Sequence, residues 1–407
     1  MINTDWEHEV RCPGSGYRWK KMIGPRENRP PYLGTFYPYN SNGFGLIDYI
    51  AFCEAAGFLC VPTINPCETP ADVADLVQYL NGDASTPWGK RRAEDGHPAS
   101  YGVRYLQIGN EEHTRGSDGR MLVRENYPAH FAALLEAAAS VDPALTVITA
   151  PWLYNAPELE YPENRARMAA LLQAARGHNV LMDVHVGGDN LGDAEIADQF
   201  LRKLRAYLNE IDPANQVGFC ILEENGVRHD VQRALGHAHH INTIERMGEA
   251  VVIDCPANCL QPYLQHDNWW DQGQLFFTPG QVWGMPPYYA QQMIAQHYQP
   301  LCVAAAVTQE GDALDVTVTR SEDGQKLVLK AVNLGADDVG VSISGLPWRA
   351  GRVRLTRLTG DLTAENIPAE PRKIAPVVEE CAWAGGAFEC ALPGHSFTAL
   401  QFEAPAS

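Results

Sequence analysis

Helix-like and strand-like segments alternate from about residue 44 to residue 297, and this alternation restricts the fold more than any other property of the chain. Leu46, Ile47, Ile50 and Cys53 recur at helical spacing and predict a helix over 45–57, followed by a strand over 58–64. Thr69 and Pro70 supply a cap and a first helical residue for a helix over 70–80. Strands over 103–108, 145–150, 180–184, 217–222 and 250–254 then alternate with helices over 127–141, 163–175, 193–209, 230–247 and 287–297. Such alternation predicts a parallel sheet with helical crossovers, assigned to residues 1–299. From residue 300 the helical period vanishes. The β-rich runs 313–319, 326–332, 339–343, 352–358 and 397–402 predict an antiparallel β-sandwich over 300–407. Two stretches, 81–100 and 261–286, are long for loops of an α/β unit and are expected to be functional.

The formal net charge of −19, with Lys and Arg scattered, argues against nucleic acid and anionic membrane as partners and favours a neutral substrate. No apolar run approaches the roughly 18 residues of a membrane helix. Ten cysteines in 407 residues are too few for a disulfide scaffold. Cys53, Cys60, Cys220 and Cys302 sit in apolar runs as small core residues, while Cys381 and Cys390 could bridge a hairpin. This usage, with no signal peptide at the N-terminus, points to a reducing, cytoplasmic setting.

Two apolar runs end abruptly in acid: Gln107-Ile108-Gly109-Asn110-Glu111-Glu112 and Cys220-Ile221-Leu222-Glu223-Glu224-Asn225-Gly226. Each reads as a buried strand delivering carboxylates at its C-terminal end, where parallel barrels carry their chemistry. A pair of carboxylates from two strand ends is what glycosidic cleavage needs: one protonates the leaving oxygen, the other attacks the sugar or activates water. The competing reading of each motif is a helix cap or capped loop. Adjacent acids on a strand point to opposite faces, so only one of Glu223 and Glu224 can face a shared site. His185 ends another strand between the two in chain order. Trp269, Trp270, Phe276, Phe277, Trp283, Tyr288 and Tyr289 are either core or a stacking wall for sugar rings. His237, His239 and His240 lie on a helix-like segment with no further ligand completing a set, so neither metal nor cofactor is expected.

At these residues the chain resembles glycoside hydrolase family 51, which contains α-L-arabinofuranosidases and some endo-acting glucanases. The markers run in order along most of the chain: Arg11-Cys12-Pro13-Gly14, Trp19 with Ile23-Gly24-Pro25, Asn42-Gly43-Phe44-Gly45, Tyr105 through Glu111, Arg233-Ala234-Leu235 and Pro287-Tyr288-Tyr289. The resemblance implies an α/β fold, a (β/α)8 TIM-type barrel with a C-terminal β-sandwich. It implies Glu111 as general acid/base and Glu224 as nucleophile, with carboxyl groups about 5–5.5 Å apart as retention demands. It further implies Asn110, His185 and Gln274 as substrate contacts; Trp283 joins them from the aromatic set. The chain departs from the family pattern in three ways. It begins about ten residues before Arg11, so the first barrel strand is expected to be missing, with the gap closed by a homo-oligomer or by the chain's own N-terminal residues. Ser15 stands where the family has a second glycine, and Val186-Gly187-Gly188 replace the aromatics that often follow His185. The expected function is retaining removal of α-L-arabinofuranosyl groups from plant cell-wall polysaccharides. The alternatives are an endo-β-1,4-glucanase or xylanase on the same scaffold, and a non-catalytic carbohydrate-binding protein.

Overall fold

The computed structural model describes residues 16–34, 39–265, 271–308 and 313–404. Along the chain come α1 (Leu46–Ala56), β1 (Thr63–Ile64), α2 (Pro70–Asn81), α3 (Pro87–Glu94), β2 (Tyr105–Arg115), β3 (Met121–Val123), α4 (Tyr127–Val141), β4 (Thr146–Pro151), α5 (Pro162–Ala175), β5 (Val180–Gly187), α6 (Asp193–Ile211), β6 (Gly218–Asn225), α7 (Val231–Arg246) and β7 (Val251–Pro256). The order β1-β2-β4-β5-β6-β7 makes one sheet, with β3 added on β2. Pairing is parallel from β1 through β5, as βαβ crossovers require. This is the barrel wall expected from the alternation. Among the described residues its path runs from β1 to β7 without closing. The Arg11–Gly14 marker and Ser15 lie outside the described residues.

Helix ends follow the local chemistry. Thr69 accepts a hydrogen bond from the Asp72 amide, and Thr86 does the same for Gly89 at the start of α3. The second helix lies inside the stretch 81–100 read as a loop, although Thr86-Pro87 repeats the Thr69-Pro70 signature. Gly57 closes α1 in the left-handed conformation at φ 71°.

The stretch 261–286 is likewise structured. β8 (Leu260–Pro262), β9 (Leu275–Thr278) and β10 (Gln281–Gly284) form a small sheet ahead of α8 (Pro286–Gln296). Beyond it come β11 (Leu301–Val303), β12 (Leu314–Arg320), β13 (Lys326–Asn333), β14 (Val339–Ser344), β15 (Ala350–Thr359), β16 (Val377–Ala384), β17 (Ala387–Leu392) and β18 (Ser396–Glu403). They make a six-stranded sheet, β11-β12-β13-β18-β15-β16, and a two-stranded sheet, β14-β17. Phe388 of β17 packs with Val353, Leu355, Trp383, Leu400 and Phe402 of the larger sheet, which gives the sandwich its core.

Contacts divide the chain into two compact units, one of residues 1–184 with 202–220 and the other of residues 185–201 with 221–407. The second unit has a core that ignores residue 300. Val231, Ala234, Leu235 and Ala238 of α7 and Ala290, Met293 and Ile294 of α8 share one cluster with Val332, Leu358, Phe397 and Ala399 of the sandwich. The apolar faces of these two helices are therefore covered by the larger sheet.

Candidate active site

In the first unit, a polar chain runs through the strands. Thr63 Oγ1 donates to Gln107 Oε1 at 2.6 Å, and Gln107 Nε2 donates to Asp183 Oδ2 at 2.8 Å. This line joins β1, β2 and β5 through fully buried groups. Two residues beyond Ile108 the β2 ladder breaks: its register with β4 shifts between Ile108 and Glu112. Gly109 sits at φ 82° and Glu111, unusually for a side-chain-bearing residue, at φ 51°. A bulge of this kind re-aims a side chain, and strained backbone collects at functional positions. The buried Tyr127 hydroxyl braces it, donating to the Ile108 carbonyl at 2.7 Å and accepting from the Ala150 amide at 2.8 Å.

The two acids of β2 are thereby separated. Glu112 is 1% exposed, accepting from Arg124 Nε at 3.1 Å and from the Asn110 amide at 3.4 Å. It locks the bulge. Glu111 is half-buried at the bulge itself. Its neighbour Asn110 is buried, and its Oδ1 finds no protein partner. A buried amide oxygen left this way is suited to a sugar hydroxyl. Just past β4, Trp152 packs at tilted angles against His113 and Tyr154, each ring 4.8 Å away. These aromatics were not singled out from the sequence; their signal is the run Pro151-Trp152-Leu153-Tyr154 directly after a strand.

The second unit separates its acids in the same way. Both Glu223 and Glu224 lie within β6, so they face opposite sides. His185 Nδ1 lies 3.4 Å from Glu223 Oε2. Glu224 turns the other way, toward α7, and is fully buried there. His237 Nδ1 lies 2.5 Å from Glu224 Oε2, a close contact outside hydrogen-bond angles. Arg233 Nε donates to His237 Nε2 at 3.1 Å, which leaves the proton of a neutral His237 on the nitrogen facing Glu224. Burial would raise the Glu224 carboxyl, but His237, His240 and Arg233 outweigh it and hold it below the ordinary range. Burial, and then Glu224 itself, push Asp254 well up. In a βα barrel the helices pack outside the strands. A side chain that meets α7 lies between strand and helix, and Glu224 does so.

The two family models match here, and between them they cover most of the chain. An α-L-arabinofuranosidase 1 domain matches residues 8–190, and an α-L-arabinofuranosidase C-terminal domain matches residues 222–396. The chain belongs to glycoside hydrolase family 51.

A probable α-L-arabinofuranosidase A of Aspergillus terreus is 26% identical over 406 residues, covering 94% of this chain and 59% of the relative. The α-L-arabinofuranosidase 1 of Arabidopsis thaliana is 22% identical, covering 95% of this chain and 56% of its own length. The chain thus spans little more than half the length of these relatives. Among solved structures, the family 51 α-L-arabinofuranosidase of Thermotoga petrophila superposes with a TM-score of 0.81, at 19% identity over 96% of this chain and 85% of that one. The Thermotoga maritima α-L-arabinofuranosidase in complex with arabinose gives 0.79, with the same identity and coverage. These likenesses carry the barrel fold.

The departure from family 51 after His185 has a local cause. A Cβ on Gly188 would lie 2.4 Å from Glu224 Oε1, so the buried acid forbids a side chain there. Gly188→Ala is expected to destabilise the protein by about 1–3 kcal/mol. Thermal unfolding measures this, and an unchanged Tm would show that Glu224 can yield.

The remaining expected contacts are more deeply packed. Gln274 is 3% exposed, tied through its backbone to Cys259 and Met285, and its Nε2 is unpartnered. Trp283 is 4% exposed in a cluster with Phe276 and Met285. Tyr289 lies in the core shared by α7, α8 and the sandwich, with Tyr288 against it. Trp269 and Trp270 lie outside the described residues. Cys381 and Cys390 are free thiols.

Proposed function

We propose that this chain hydrolyses α-L-arabinofuranosides with retention, using Glu111 as acid/base and Glu223 as nucleophile. One observation carries the reading: in each acid pair one member is sealed into the wall, Glu112 by Arg124 and Glu224 by His237, while the other stays at the strand end. The names of the relatives support the sugar, and this reading places the nucleophile one residue before the Glu224 that the resemblance implied. In the first step Glu111 gives its proton to the glycosidic oxygen as Glu223 attacks the anomeric carbon. The alcohol leaves and an arabinosyl ester forms on Glu223. In the second, Glu111 takes a proton from water as that water attacks the same carbon. Arabinose leaves with its configuration retained and Glu223 returns as carboxylate. His185 Nδ1 faces Glu223 Oε2 at 3.4 Å, and Asn110 offers a partner for a hydroxyl beside the scissile bond.

Plant cell-wall polysaccharide is the substrate source in this proposal. A homo-oligomer covering the end of the barrel sheet and a reducing, cytoplasmic setting belong to it too. Cys53, Cys302, Cys381 and Cys390 stand unbridged, which supports the last.

The test is proton NMR of a 4-nitrophenyl α-L-arabinofuranoside digest. α-Arabinose is expected to appear before mutarotation. The β-anomer appearing first would overturn the retaining assignment. Sugar binding without turnover would point to a carbohydrate-binding protein, and internal cleavage of β-1,4-glucan or xylan without arabinose release to the endo-acting alternative.

A further inference from the structure

Behind β6 lies a group of side chains that the proposed chemistry does not use. Glu224, His240 and Asp254 come from β6, α7 and β7, and one ligand atom from each lies within 4.8 Å of the others. Glu224 and His240 are buried and Asp254 is partly so: side-chain exposure is 0%, 1% and 5% respectively. Neither ring nitrogen of His240 has a hydrogen-bond partner, nor has Glu224 Oε1, nor Asp254 Oδ1. A buried polar group without a partner costs about 1–3 kcal/mol, and more if charged. Here each of the three side chains carries at least one such atom.

A water could serve some of them, but two carboxylates and an imidazole are a donor set for a cation. His240 Nε2 lies 3.8 Å from Asp254 Oδ2, too far for a hydrogen bond. Ligands about 2.0–2.2 Å from a common ion stand roughly 3–4 Å apart, which that separation matches. Two carboxylates balance a divalent charge, and mixed imidazole and carboxylate donors suit zinc and its first-row neighbours rather than calcium. Asp230 anchors α7 through the Arg233 amide, and Arg233 holds the loops at residues 228, 257 and 272 by their carbonyls, so the frame around the group is rigid.

We propose that Glu224, His240 and Asp254 form a buried structural site for a divalent transition-metal ion of the zinc class. The ion ties β6 to β7 and α7, immediately behind Glu223. It takes no part in sugar chemistry, so the inference stands apart from the hydrolase reading. The histidines on α7 gave no metal set in the sequence because the two acids are supplied by separate strands.

The experiment uses the full chain, stripped with a chelator and dialysed against Zn2+ alone, with zinc counted per chain. One tightly held zinc is expected, with affinity falling at least tenfold in His240→Gln and in Asp254→Asn, while His178→Gln, a surface control, keeps it. No retained zinc, or zinc retained undiminished in both site variants, overturns the proposal. Should the variants fail to fold, X-ray absorption of the wild-type zinc complex decides: nitrogen and oxygen neighbours with one imidazole support the site, and sulfur neighbours place the ion on cysteines and overturn it.

Discussion

Glu223→Ala is expected to lose turnover by at least about a thousandfold, and azide is expected to restore part of it as β-L-arabinofuranosyl azide. The acid whose removal opens the face opposite the leaving group is the nucleophile, and a small anion can occupy only that vacancy. Glu224→Ala opens a hole between β6 and α7 instead. It removes the carboxylate that faces His237 Nδ1 and is expected to cost about 1–3 kcal/mol of stability, as when a buried polar group loses the group opposite it. No glycosyl azide should form. Product analysis by NMR separates the two variants. If Glu224→Ala makes the azide and Glu223→Ala does not, the nucleophile has been misassigned.

For Glu111→Gln the expected loss depends on the leaving group. Substrates with an alkyl or sugar leaving group should slow by about 10²–10⁴-fold, since a positioned acid contributes that much. A dinitrophenyl arabinofuranoside needs no proton to depart, so formation of the arabinosyl ester should be nearly spared and its hydrolysis should become limiting. Pre-steady-state kinetics would show this as a burst of dinitrophenol. Equal losses for both leaving groups, without a burst, would mean that Glu111 only shapes the pocket.

Much of this was legible because the barrel repeats its own rules. Thr69-Pro70 announced α2, and the alternation placed β2, β5 and β6 with their terminal acids and His185. What escaped was decided by neighbours distant in sequence. Strand geometry states that Glu223 and Glu224 diverge, but not which way each turns; the contact on the Glu224 side comes from His237, thirteen residues on. Family pattern chose the second acid, and the packing of α7 favours the first. The bulge at Glu111 leaves no trace in hydrophobic pattern beyond Gly109. α3 was overlooked although its Thr86-Pro87 start copies that of α2, because few apolar residues mark its period. β16 was missed for a similar reason, being exposed at nearly every position, so no alternation signals it.

The cluster that joins α7 and α8 to the sandwich bears on how such a protein can be cut and recombined. A division at residue 300 looks natural on the sequence, yet it would strip the cover from Val231, Leu235, Met293 and Ile294. The freed barrel half would present a greasy flank and would tend to clump rather than stay folded alone. Chimeras between related enzymes should therefore exchange the last two helices together with the sandwich as a single cassette. Random recombination libraries should show survivors whose crossovers avoid the interval between α7 and β18.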